Sequence, residues 1–338
     1  MIRFDSVAAF DAALADLPSA DAAARAAAAE RQAELTKPAG SLGRLEEIAL
    51  FMAGWQGTPR PQAERIVAAV FAGNHGVARQ GVSAFPPEVT AQMVANFQAG
   101  GAAINALAGA CGAQLRVVPL DLDRFTGDIT REAAMSEEEC LAALNTGAAV
   151  IERGAHLAFV GEMGIGNTTP ASALCAASFG GAAERWVGRG SGVGDEGIAR
   201  KCAAVTAALA LHGARCTGPF ETLRWLGGRE IAAMAGAILA ARMMRMPVLL
   251  DGFICCAALA PLAAAVPAIT DHCLAGHGSA EAGHQRLLEK LGLVPLLQLD
   301  MRLGEGTGAA VAAQIVRSAL AAHNGMATFA EAAVTGAV

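Results

Sequence analysis

Short apolar runs spaced by alanine-rich stretches set the tightest limit on what this chain can fold into. The runs are Ile66–Ala72, Leu115–Leu120, His156–Val160, Pro247–Leu250 and Pro295–Leu299. Each is too short for a core helix and lacks the polar alternation of a half-exposed strand. Such runs read as strands buried on both faces, and the stretches between them as covering helices. The expectation is an open α/β fold with a parallel sheet, and helical segments from both chain ends packed as a smaller unit. Ala22–Leu35 reads as helix and should stop near Lys37-Pro38, because the residue before proline avoids the α region. Ala309–Ala322 reads as helix again.

Each run but one is closed by a polar, glycine-containing segment. Gly73-Asn74-His75-Gly76 follows the first run and Gly161–Asn167 the third. Asp251-Gly252 and Asp300–Gly306 follow the last two. In open parallel sheets ligands bind beyond the carboxyl ends of the strands, so these segments should converge on one crevice.

Bulk properties narrow the class. At 338 residues the chain holds one or two domains, and 54% hydrophobic against 17% charged residues excludes a disordered protein. A net charge of −6, from 25 Lys+Arg and 31 Asp+Glu, argues against a nucleic-acid binder. A mean hydropathy of +0.41 raises the membrane question. The most apolar stretch, Gly252–Thr270, is alanine-rich, interrupted by Pro261 and Pro267 and preceded by Asp251, so no membrane span is expected. Asp5, Asp11 and Asp16 break the N-terminal apolar stretch and argue against a signal peptide, which leaves the cytoplasm as the expected place. The eight cysteines contain no C-x-x-C pair and read as reduced, buried thiols; the adjacent Cys255–Cys256 pair leaves a redox role open.

Three glycine-rich segments carry the chemistry. In Gly161–Leu174, Gly164 and Gly166 permit close backbone approach, and Thr168 or Thr169 can cap a helix with Pro170 in its first turn. That is either an anion site suited to phosphate or an ordinary capped turn. In Val187–Lys201, four alternating glycines from Gly188 to Gly194 make a permissive loop. Arg189 and Lys201 can add positive charge, while Asp195, Glu196 and Arg200 suit a helix start; a plain surface loop fits as well. In Leu299–Ala312, Glu305 lies between Gly304 and Gly306 at a strand-to-helix junction. It is either a general base or a carboxylate facing a helix dipole. Gly81–Ala108 sets Ser83 and Gln92 beside Phe85, Met93 and Phe97, a mixture suited to a flat aromatic ligand or to a loop entering a core helix. His272, His277 and His284 fit no zinc spacing, no G-x-S-x-G elbow is present, and no metal or cofactor is expected. His75 follows a strand and either lines the crevice or is structural.

Taken in order, these segments closely resemble the nicotinate-nucleotide–dimethylbenzimidazole phosphoribosyltransferase family. The matching stretches are Lys37–Ala49, Ala72–Asn105, Gly161–Leu174, Val187–Lys201, Gly227–Ala241, Pro247–Phe253, Gly276–His284 and the LDMRLGEGTGAA segment from Leu299. The resemblance implies a doubly wound, Rossmann-like parallel sheet at 61–305, a small helical domain from 1–60 and 306–338, and a homodimer. It implies transfer of phosphoribose from nicotinate mononucleotide to 5,6-dimethylbenzimidazole with inversion at C1′. Nicotinate and α-ribazole 5′-phosphate are the products. Glu305 would be the general base and Glu162 a second functional carboxyl. Phosphate and ribose contacts would fall to Gly164, Gly166, Asn167, Thr168, Arg189, Gly190, Lys201 and Ser279. Ser83, Phe85, Gln92 and Leu303 would hold the base, with Asp251 lining the site. Many relatives carry Asp where this chain has Asn74, which puts in doubt an essential anion at that position.

Two other readings differ in chemistry. A Rossmann oxidoreductase would need G-x-G-x-x-G after the first strand, where this chain has Gly73-Asn74-His75-Gly76. A non-catalytic nucleotide-binding protein would bind the mononucleotide and leave Glu305 dispensable. Within the family, another purine, benzimidazole or phenolic acceptor remains open.

Overall fold

The computed structural model describes residues 2–190 and 192–335. Helices α1 (Val7–Ala15), α2 (Ala22–Glu34) and α3 (Arg44–Gln56) precede strand β1 (Ile66–Ala72). Next come α4 (Val89–Gln98), α5 (Ala103–Cys111), β2 (Ala113–Pro119), α6 (Glu137–Ala149) and β3 (Leu157–Met163). α7 (Thr168–Phe179), α8 (Asp195–His212), α9 (Pro219–Leu226) and α10 (Arg229–Met243) lead to β4 (Val248–Leu250). α11 (Phe253–Ala265), β5 (Cys273–Ala275), α12 (His284–Leu291) and α13 (Thr307–Gly325) follow.

All strand pairs are parallel and the spatial order is β2-β1-β3-β4-β5. Strand order reverses between β1 and β3, where the outgoing loops part and leave a crevice. Both faces are covered, as the unbroken apolar runs require. Ala69, Phe71, Ala158, Val160, Val248 and Leu250 belong to a core shared with α6, α7, α10 and α11. Ile66, Ala68, Val70, Leu157, Phe159 and Leu249 belong to the other, shared with α3, α5 and α13.

On the first face α6 and α10 cross with their backbones nearly touching. A Cβ at Gly147 would sit 1.7 Å from the Ala233 carbonyl oxygen, and one at Gly236 2.0 Å from that of Leu144. At the chain ends, α2 and α13 are tied by the Arg31 guanidinium, which donates to the carbonyls of His323, Asn324 and Met326. Leu35 and Thr328 add an antiparallel bridge. α1 takes no part in that unit: Phe10 packs edge-on against Phe220 of α9 at 6.0 Å.

One expected strand fails. Pro295–Leu299 is not a strand; only Leu297 pairs, in a single parallel bridge with His277. The fifth strand is instead the three-residue Cys273–Ala275. The expectation for Gly252–Thr270 holds, since most of it forms the buried core helix α11 and none of the described helices is long and apolar enough to cross a membrane.

Candidate active site

A cavity of about 670 Å³ opens beyond the carboxyl ends of β1, β3 and β4. Its lining comes from the turn and helix after β1, the turn after β3, the start of α11, the 279–281 segment and the loop before α13.

Glu305 sits in that last loop in a left-handed backbone conformation, φ +62°, between Gly304 at +83° and Gly306 at +85°. A non-glycine residue is held there only when its surroundings over-determine it. Here Asp251, at the end of β4, accepts the Gly306 and Ala309 N–H groups, each at 3.0 Å, and so pins the first turn of α13. Gly161 allows the contact from below, since a Cβ there would lie 2.2 Å from the Glu305 carbonyl carbon. The Glu305 side chain is buried and its Oε2 has no hydrogen-bond partner among the described residues. Burial, reinforced by the Asp251 charge, pushes its carboxyl up to about 7. A carboxylate poised near neutrality in the lining of a cavity, with one buried oxygen unbonded among the described residues, is suited to take a proton.

Glu162, at the end of β3, is buried and accepts a bond from the Asn167 side-chain amide at 2.5 Å. Burial pushes it up to about 8; the Asn167 bond opposes the shift, and Glu230, Asp251 and Glu305 add to it. At neutral pH it is mostly a neutral acid. Glu230 lies behind the site, paired with the buried His75 at 2.6 Å. His75 is therefore structural, and neither residue lines the cavity.

The opposite end of the cavity carries the groups suited to an anion. Gly164, Gly166, Asn167 and Thr168 line it at the start of α7, where the helix dipole favours negative charge. Gly190 faces them. A Cβ on Gly190 would fall 2.8 Å from Lys201 Nζ and 3.2 Å from Thr168 Oγ1, so ammonium and hydroxyl meet just behind this glycine. Lys201 is buried, donates to the Gly188 carbonyl at 2.9 Å, and is held below the usual lysine range by burial. Ser279 and Glu281 complete this end.

The apolar wall is Val82, Phe85, Val89 and Met93, with Leu303 across from it and Ser83 as a polar group. Phe85 and Leu303 are 50% and 57% exposed at the mouth.

Most of the expected site residues meet here, with differences. Arg189 does not line the cavity: its guanidinium turns back to the Val193 carbonyl and to Asp195 at 2.8 Å. Gln92 lies on the exposed side of α4 and outside the lining, while Val89 and Met93 face in. Neither Thr168 nor Thr169 caps α7; Asn167 holds the cap position, and its amide is engaged by Glu162 instead. Asp251 lines the cavity, but both its oxygens serve α13. Asn74 is buried and donates from Nδ2 to the Leu122 carbonyl at 2.9 Å, a bond an ionised Asp could not make. Burial keeps the Cys255 and Cys256 thiols well above the ordinary range, so neither is a ready thiolate. Among the described residues no group of His, Cys, Asp and Glu is arranged to hold a metal. Arg302, exposed at the mouth, went unrecognised in the sequence; its one signal is a cation three residues before Glu305.

Comparison with known proteins agrees with this arrangement. A family profile described as phosphoribosyltransferase matches residues 17–334. The chain is 69% identical over 334 residues to the nicotinate-nucleotide–dimethylbenzimidazole phosphoribosyltransferase of Novosphingobium aromaticivorans, covering 99% of both chains. It is 59% identical to the enzyme of that name from Ruegeria sp., covering 96% of each. The crystal structure of the enzyme of that name from Thermus thermophilus superposes with a TM-score of 0.87 at 42% identity, covering 94% of this chain and all of that one. The chain belongs to the nicotinate-nucleotide–dimethylbenzimidazole phosphoribosyltransferase family.

Proposed function

We propose that this cavity transfers the phosphoribosyl group of nicotinate mononucleotide to 5,6-dimethylbenzimidazole. The observation that carries the reading is Glu305, buried, with one unpartnered oxygen and a carboxyl raised to about 7, opposite an anion-suited pole. The nucleotide phosphate docks at Gly164, Gly166, Thr168, Gly190, Lys201 and Ser279. The benzimidazole lies against Phe85, Val89, Met93 and Leu303, with Ser83 as its polar contact.

One ring nitrogen of the acceptor attacks C1′ from the face opposite nicotinate. The C1′–N bond to nicotinate breaks, and its electron pair neutralises the pyridinium. The other ring nitrogen gives its proton to Glu305. One displacement turns the β linkage into an α linkage. Neutral Glu162 orients the ribose by hydrogen bonding and does not compete for the proton. Holding donor and acceptor in line supplies a large share of the rate.

The test is direct: incubate the protein with both substrates and follow nicotinate and α-ribazole 5′-phosphate by chromatography. Glu305→Gln should fold, keep the nucleotide KM within a few-fold and lose about 10²–10⁴ in kcat. A near-normal kcat would rule out the base. An acceptor screen with purines and phenols sets the limits of the acceptor class.

The reading extends to a cytoplasmic homodimer, with the exposed Phe85, Leu299 and Leu303 as apolar surface for the partner subunit to cover. It also includes a division of the chain into a large unit around the sheet, on which α1 packs, and a helical unit built from α2, α3 and α13, supported by the α2–α13 contacts.

A further inference from the structure

The segment 276–284 touches both ends of the cleft. Its Gly276 N–H donates to the Leu250 carbonyl at 2.8 Å and its Gly278 N–H to that of Leu297 at 2.9 Å. Its Ala280 N–H donates to the Met301 carbonyl at 3.0 Å, just ahead of the loop carrying Glu305. At the other end, both carboxylate oxygens of Glu281 accept the Gly190 N–H at 3.1 Å.

Around this contact the polar groups are ordered. The Glu281 N–H donates to Ser279 Oγ at 3.3 Å, which leaves the Ser279 hydroxyl hydrogen to be donated elsewhere. The Ser279 N–H donates to His284 Nδ1 at 2.8 Å. That fixes the His284 hydrogen on Nε2, which lies 3.3 Å from Cys256 Sγ. Gly188 is what allows Glu281 in: a Cβ there would lie 1.9 Å from Oε1. Glu281 is buried, and the buried Lys201 ammonium feels its charge. Each offsets part of the other's desolvation.

We propose that Glu281 is a positioning residue for the donor. It holds the Gly190 N–H and so fixes the 188–190 turn, which keeps the Thr168 hydroxyl and the Lys201 ammonium, meeting beside Gly190, together for the nucleotide phosphate. This rests on the phosphate docking proposed above. Because the same segment is bonded to Met301, the donor's seat and the loop carrying the base are held by one short stretch of chain.

The test compares two ligands that differ only in the phosphate, nicotinate mononucleotide and nicotinate riboside, by calorimetric titration of wild type, Glu281→Ala and Glu281→Gln. Wild type should prefer the mononucleotide. Glu281→Ala should lose about tenfold in mononucleotide affinity, the equivalent of one hydrogen bond, and hold riboside affinity within twofold. Glu281→Gln, whose side-chain carbonyl still accepts the Gly190 N–H, should recover most of the loss. Unchanged phosphate preference in Glu281→Ala overturns the proposal, as do equal losses for both ligands. Tighter mononucleotide binding overturns it too, since the carboxylate would then be occupying the phosphate's seat. A wild type that binds both ligands alike sinks the phosphate reading itself. Should the alanine variant fail to fold, Glu281→Asp, one methylene short of Gly190, takes its place with the same expected loss.

Discussion

Glu305 and Glu162 are both raised by burial, and each has its own consequence for pH. Glu305 can accept a proton only when ionised, so kcat/KM should rise with pH and level off above about 7. Asp251 supplies the second cause of that shift. Asp251→Asn removes that charge and also one of the two acceptors that pin α13, so the acidic limb should move down and kcat should fall with it; a limb that stays put would remove Asp251 from the electrostatics. Glu162 acts on stability. Its folded pKa, about 8, lies above the unfolded value, so the folded state holds a proton that the unfolded chain releases. The resulting stability is present at low pH and lost as pH rises towards 8. Glu162→Gln removes this loss. Its stability relative to wild type should grow between pH 5.5 and 7.5 by up to about 1.4 kcal/mol per unit, read from urea midpoints; a constant difference would contradict the shift. At this scale the place of Glu305 beside the cavity was legible in the sequence, because a carboxylate between two glycines can approach a ligand unobstructed, but a base and a carboxylate facing a helix dipole were not distinguished there. Arg189 and Gln92 fall outside the lining because Asp195 draws one away and helix phase turns the other outward. Glu281 lies in the matched stretch Gly276–His284, but no role for it was legible in the sequence. Its tie to Gly190 joins segments far apart in sequence.

Among the elements, the strands that were legible are those whose apolar runs are long enough to be buried on both faces, β1 above all. β5, no shorter than the anticipated β4, escaped notice because the polar Asp271-His272 and Gly276-His277 close on it from both sides, while Pro295–Leu299 has the composition of a strand without the pairing. Helix packing was not legible at all at the α6–α10 crossing, where alanine-rich sequence gives no hint of which glycines touch backbone. In an open helix, Gly→Ala gains about 0.5–1 kcal/mol. At Gly236 the added methyl would strike the Leu144 carbonyl, so Gly236→Ala should destabilise by about 3 kcal/mol. Gly109→Ala in α5, where a Cβ meets nothing within 4 Å, should stabilise by about 0.5–1 kcal/mol. Chemical denaturation of both variants checks the pair, and equal shifts would mean the helices slide apart at little cost.

For the whole molecule, the doubly wound order was foreseen from resemblance, and the crevice at its reversal point follows from that order. Sedimentation should give a species of twice the 34.1 kDa chain, and a concentration-independent monomer would remove the dimer from the reading. The two ends of the cleft have different origins. The anion-suited end is built from the turn after β3, a buried lysine and the 276–284 segment, the last two each bonded to the 188–190 turn. The wall of Phe85, Val89, Met93 and Leu303 is made of side chains on one short helix and two loops, with no part in the sheet. Substitution there reshapes one half of the cleft without touching the other. A few changes at this surface would therefore alter which aromatic acceptor fits, with the donor's seat left as it is.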